Sequence, residues 1–190
     1  MMWATDAIEK LIKDFRFDTV LDVGCGNGDH SEYFKLNHKD VTSTDYDSKY
    51  TNCIIGDYNN LVFDQFDCIW VSHVLEHQLN VNNFLKKIRS ESKENGIICI
   101  TVPPLKHEIV GGHVSLWNAG LLIYNLVLAG FDCKNCSVKS YGYNISVIAN
   151  AGDFSLPHLK YDSGDIDRLK PWLPEFCNEK FNGNISEWNW

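Results

Sequence analysis

The chain has no segment dense in lysine or arginine, and its formal net charge is -8. Binding to duplex DNA or bulk RNA rests on neutralising phosphates, so no nucleic-acid partner is expected. A small, even anionic, substrate stays admissible because local field counts for more than net charge. No run of about 18 apolar residues occurs, and the first residues lack the basic-then-apolar order of a secretory signal. These absences predict a soluble, cytoplasmic protein with no membrane partner. There is no internal repeat or low-complexity tract. Close cysteine pairs are scarce too. Of seven cysteines only Cys133-x-x-Cys136 forms one, with no second pair to complete a zinc set, so the thiols read as small buried hydrophobes in a reducing compartment. At 190 residues and 44% hydrophobic content the chain is long enough for one core and short for two.

What the chain does carry is Val20-Leu21-Asp22-Val23-Gly24-Cys25-Gly26-Asn27-Gly28, an apolar run closed by three glycines at alternate positions. The apolar part suits a strand buried on both faces. The glycines let the backbone turn sharply and come close to a ligand at the N-terminus of a following helix, where free amides await an acceptor. Asp29 stands where the NAD fingerprint G-x-G-x-x-G wants its third glycine, so the loop departs from that pattern.

Along the chain, Ile8, Leu11, Ile12 and Phe15 make one apolar helical face, with Thr5 as the expected cap. A helical stretch lies around Tyr33 and Phe34. Strands are predicted near Val41 to Asp45, at Cys53 to Ile55 and from Phe66 to Val71. Val81, Phe84, Leu85 and Ile88 repeat the helical spacing, with Gly96 expected to end that helix before a strand from Ile97 to Val102. An apolar helix from Leu121 to Ala129 closes at Gly130. Phe131 to Ser140 and Tyr143 to Ala149 then read as an antiparallel pair turning at Gly142. Strands alternating with helices imply a doubly wound α/β sheet, mostly parallel, with helices on both faces. Between Asp45 and Cys53, and between Asp57 and Phe66, there is too little chain for ordinary crossover helices, so that side of the sheet must be trimmed to loops.

Asp22-x-Gly24-x-Gly26-x-Gly28, with this order of elements, resembles motif I of the Rossmann-like (class I) S-adenosylmethionine-dependent methyltransferases, of the small-molecule, type 11/23-like branch. The resemblance covers about residues 15 to 150. It implies a seven-stranded sheet whose last strand runs antiparallel, a methyltransferase domain over residues 1–150, and S-adenosylmethionine as cofactor. The cofactor set it implies is Asp22, Gly24 and Gly26 in the loop, Asp45 for the ribose hydroxyls, Asp57 for the adenine amine, Tyr58 beside the ring, and Ser72 with His73 near the methionine end. No metal belongs to that set.

His73-Val74-Leu75-Glu76-His77 also matches H-x-x-E-H, the zinc signature of inverted zinc peptidases, which requires both histidines on one helical face. Here it follows a buried strand directly and matches the methyltransferase segment after the fourth strand. A zinc-dependent hydrolase is therefore the weaker reading, beside a non-catalytic nucleotide-binding module. Past the fifth strand come Pro103-Pro104, Gly111-Gly112-His113 and Trp117. A hydroxyl acceptor would benefit from a base near pH 7, for which His113 is the first candidate and His77 the second; the alternative is a histidine that only orders its loop. Residues 151–190 carry three of five prolines and three of six tryptophans and are expected to pack back on the domain, covering the substrate side, forming a homodimer contact or filling a groove. Leu169 to Pro174 and Phe181 to Asn184 resemble segments in methyltransferases of bacterial surface-sugar pathways.

Overall fold

The computed structural model describes residues 3–178 and 180–190. Its strands are β1 (Thr19–Val23), β2 (Asp40–Asp45), β3 (Cys53–Ile55), β4 (Phe66–Ser72), β5 (Ser92–Val102), β6 (Phe131–Tyr141), β7 (Asn144–Ala151) and β8 (Glu187–Trp188). Its α-helices are α1 (Thr5–Asp14), α2 (Asp29–Leu36), α3 (Val81–Ser90), α4 (Ala119–Leu128) and α5 (Asp165–Leu169). Among the described residues all eight strands form one sheet in the order β3-β2-β1-β4-β5-β7-β6-β8. Strands β1 to β5 pair in parallel, and β7 enters antiparallel between β5 and β6. The α/β fold is therefore the expected one. The sheet has one strand more than the seven expected, because the two-residue β8 adds to the outer edge of β6.

Alternation along each strand divides the core. Leu21, Val23, Ile69, Val71, Ile98 and Ile100 point toward α3 and α4, whereas Val20, Cys68, Trp70 and Cys99 meet α1 and α2. Both faces are covered, which is why β1 and β4 read as continuous apolar runs. No described helix is long and apolar enough to cross a membrane. The strand order reverses at β1 and β4, which leaves a crevice beyond their carboxyl ends. As the short spacings require, a loop joins β2 to β3, and a single 3-10 turn, Tyr58–Asn60, interrupts the path from β3 to β4.

Two local expectations are corrected. Thr5 does not cap α1; it is the first helical residue, and the cap position is Ala4 with left-handed backbone. Gly96 does not end α3. That helix stops at Ser90, where Glu91 turns into the core to accept from Tyr58 and Lys87, and the chain enters β5 at once.

After β7, Leu169, Leu173 and Cys177 enter the α4-side core, with Phe154 stacked on Trp172 at 4.1 Å. The segment crosses the start of α4 backbone to backbone, Gly120 donating to the Gly183 carbonyl at 2.9 Å. A Cβ on Gly120 would lie 2.7 Å from the Gly183 Cα, so close passage demands glycine.

Candidate active site

The crevice holds a cavity of about 540 Å³. Gly24, Gly26, Asp45, Asp57, Tyr58, His73 and His77 line it, together with Val74 and Phe84. Seven of the ten residues singled out in the sequence thus converge from the ends of β1 to β4.

Gly26 has φ +53, and a Cβ there would meet nothing within 4 Å, so its backbone stands open to the cavity. Its amide donates to Asp45 Oδ2 at 2.8 Å, and Asp45 Oδ1 accepts from the Asp47 amide at 3.0 Å. Asp45 therefore ties the β2 end to the glycine loop while keeping lone pairs free for a diol. Gly24 needs to be glycine for a different reason: its φ is +77 and a Cβ would fall 2.2 Å from Val74 Cγ2. Asp57 caps the 3-10 turn, accepting from the Asn59 amide and from the side chains of Asn59 and Asn60. The Tyr58 ring forms part of the wall while its hydroxyl donates to Glu91 at 2.5 Å; burial and that carboxylate both hold the hydroxyl protonated.

Asp22, expected to bind cofactor, lies elsewhere. Strand alternation turns its side chain to the α2 face, where it is fully buried and accepts from Ser31 at 2.5 Å; Ser31 in turn meets Ser43 at 2.8 Å. It props the loop from beneath and has no surface on the cavity. Ser72 is 9% exposed with a hydroxyl lacking any partner, and it does not line the cavity.

The turn after β4 is the most constrained part of the site. His73 has φ +57, in the left-handed region that a residue with a Cβ rarely occupies, and such strain gathers at functional positions. Its Nε2 faces Asn144 Oδ1 at 2.9 Å, its Nδ1 lies 3.3 Å from Glu76 Oε1, and its ring stacks on Tyr143 and meets Trp3 at a tilt of 51°. Burial works to lower the His73 pKa, but the contacts with Glu76 and Asn144 outweigh it and raise it. Leu75–His77 form a 3-10 turn, so His73 and His77 do not share a helical face and the geometry required for a zinc peptidase is absent.

His113 sits on the β5–α4 loop and lines a second cavity of about 210 Å³ with Lys106, Glu108, Ser115, Trp117 and Tyr143. His77 and His113 meet edge to face at 5.0 Å, so this pair stands between the two cavities. A third, of about 430 Å³, shares Pro104 and Trp117 with the second and is walled by Asn118, Ser140, Asn144, Asn184 and Ser186. Sequence reasoning missed Val74, Tyr143 and Asn144, whose places follow only from strand pairing. The Cys133-x-x-Cys136 pair takes no part: a bulge in β6 buries both thiols, and burial raises the Cys133 pKa.

A parallel sheet with an inserted antiparallel strand and an acid-fringed glycine loop at its switch point defines the class I methyltransferase fold. Methyltransferase domains match residues 3–127, and the chain belongs to this family, whose cofactor is S-adenosylmethionine. Among solved structures, a S-adenosylmethionine-dependent methyltransferase from Archaeoglobus fulgidus superposes with a TM-score of 0.61 at 17% identity, covering 70% of this chain and 86% of that one. The 1,6-didemethyltoxoflavin-N1-methyltransferase of Burkholderia thailandensis, solved with S-adenosylhomocysteine, gives 0.63 at 18% identity, covering 73% and 72%. The [4+2]-cyclase SpnF also shares the fold, at 0.58 and 18% identity over 70% and 57% of the two chains. No curated protein sequence matches the chain.

Proposed function

We propose that this methyltransferase acts on a hydroxyl of a small polar acceptor, of the kind found in sugars and surface-polysaccharide precursors. The observation that carries the reading is the histidine pair between a cofactor-sized cavity and a smaller one, which shares Pro104 and Trp117 with a further groove lined by amides and hydroxyls. Such a lining suits a polyhydroxyl ligand, because side-chain amides both donate and accept and hydroxyls do the same.

The cavity fits the cofactor on two counts: the bare backbone at Gly26 leaves room for a ligand, and the Asp45 and Asp57 carboxylates stand on its lining as acceptors. In this assignment Asp45 accepts both ribose hydroxyls, with the Gly24 and Gly26 backbone beside them. Asp57 accepts from the adenine amine, Tyr58 flanks the ring, and Ser72 and His73 face the methionine end. Asp22 acts only through the loop. When bound, the cofactor supplies an already activated methyl group, so the protein needs chiefly to align the acceptor and exclude water. Trp117 and Tyr143 shield the acceptor side. His113, with His77 next to it, faces the hydroxyl that loses its proton.

Calorimetric titration with S-adenosylhomocysteine, S-adenosylmethionine and NAD tests the cofactor assignment. Micromolar binding of the first two and none of NAD is expected. A hydrogen bond to a charged group is worth about 1.5–3 kcal/mol, so Asp45→Ala should weaken binding by about 10²-fold. An unchanged affinity would remove Asp45 from the site. Turnover on nucleotide sugars, absent on peptide amines, is the expected acceptor preference; the reverse preference overturns it.

A further inference from the structure

Glu76 is 1% exposed, and neither carboxylate oxygen has a hydrogen-bond partner. Burying an ionised carboxylate is costly unless it is paired, so each such group calls for a compensating charge. His73 stands 3.3 Å from Oε1 and supplies one neighbour. Oε2 of Glu76 remains without one. His77 Nδ1 lies 2.8 Å from the Gly112 carbonyl oxygen, which can only accept. Nδ1 therefore carries the proton, and the bare Nε2 is turned toward Glu76 at 3.9 Å. A backbone carbonyl on the far nitrogen is also how metal-ligating imidazoles are held in register.

The third group is placed by backbone contacts. The Val114 amide donates to the Glu76 carbonyl at 2.8 Å, and the His113 amide to Val110 at 3.1 Å, which brings the His113 ring against His77. One ligand atom from each of Glu76, His77 and His113 lies within 4.8 Å of the other two. Ligands about 2.0–2.2 Å from one tetrahedral ion are roughly 3.5 Å apart, so small side-chain rotations close the set.

We propose that Glu76, His77 and His113 hold one divalent transition-metal ion of the zinc type at the junction of the cofactor and acceptor cavities. Two imidazoles and a carboxylate favour zinc, cobalt or nickel over magnesium or calcium, and three protein ligands leave a position open. The site differs from the zinc peptidase motif, in which both histidines of H-x-x-E-H bind metal and the glutamate is the base; here the glutamate binds and the third ligand comes from another loop. It also replaces the expectation of a metal-free site. The role at that position rests on the proposed function. An acceptor hydroxyl bound there releases its proton to water more readily, its O–H bond breaking while the oxygen keeps the electron pair against the ion. His77 and His113 then act on the acceptor through the metal instead of as bare bases.

The test uses the untagged full chain, stripped by chelator and titrated with Co²⁺ while the visible d–d absorption is read. One equivalent is expected to bind, displaced by Zn²⁺. Glu76→Gln and His113→Ala should each weaken binding at least about 10²-fold, whereas His107→Ala and His158→Ala, on exposed histidines, should not. Because Glu76 is buried and its variant could misfold, His113→Ala, on a half-exposed loop, decides the matter. Binding equal to the parent in that variant, or no Co²⁺ bound at about 1 mM, overturns the inference. S-adenosylhomocysteine titrated into the same samples separates the two readings. Cofactor binding without metal binding sinks this inference alone, and metal binding without cofactor binding sinks only the role assigned to the ion.

Discussion

Asp22→Asn should raise stability by an amount that grows with pH. Burial pushes the Asp22 pKa up from its ordinary 3.8 to about 7; the Ser31 hydrogen bond opposes this and the nearby Asp45 charge adds to it. Between those two values the folded chain holds a proton that the unfolded chain has lost, so unfolding free energy falls as pH rises. At 1.36 kcal/mol per unit, the cost of the ionisable group is about 2 kcal/mol at about pH 5.5 and about 4 kcal/mol above pH 7. Asparagine keeps an oxygen for Ser31 and carries no titrating proton. Its amide group faces the position where Oδ1 has no partner, which offsets the variant by a constant amount at every pH. The difference between variant and parent should therefore increase by about 2 kcal/mol from about pH 5.5 to about pH 8, or roughly 4–8 °C in Tm for a chain of this size. Urea unfolding of both proteins at the two pH values, with equal m-values, measures it. A difference constant to about 0.5 kcal/mol would show that Asp22 does not titrate in this window.

The two loop glycines should respond in opposite ways. Gly24→Ala meets Val74 and a left-handed φ, so about 3 kcal/mol of stability should go, partly regained by adding Val74→Ala; a wild-type Tm would contradict the clash. Gly26→Ala has no clash and should lose only about 1 kcal/mol, yet weaken S-adenosylhomocysteine binding at least about tenfold; full affinity in calorimetry would mean the cofactor passes elsewhere. Leu173→Ala, 2% exposed under α4, should cost about 2–5 kcal/mol in denaturant titration, and a loss under 1 kcal/mol would mean the C-terminal segment is not part of the cooperative core.

Much of the fold was legible because its signals are local. The apolar run before Gly24, the helical spacing of Val81 to Ile88 and the short gaps on either side of β3 each reflect constraints within a few residues. Helix ends were less legible. Glu91 ends α3 because its carboxylate has partners in Tyr58 and Lys87, 33 and 4 residues away, and Ala4 adopts a backbone that no propensity foretells. The site divides the same way. Gly26, Asp45 and Asp57 follow from position at strand ends, whereas the burial of Asp22 on the α2 side is not readable from a single strand, which does not reveal which of its faces meets α2.

The sequence by itself determined the alternation of strands and helices, the left-handed glycine loop and the acids at the strand ends, since each depends on residue type and spacing along one stretch of chain. Only the tertiary structure decided that Asp22 faces away from the cavity, that Glu76 is sealed from solvent beside His73, and that His113 comes to rest against His77 from another loop. Those facts depend on strand order and loop closure, which bring together groups separated by dozens of residues, and burial then sets the charge each of them can carry.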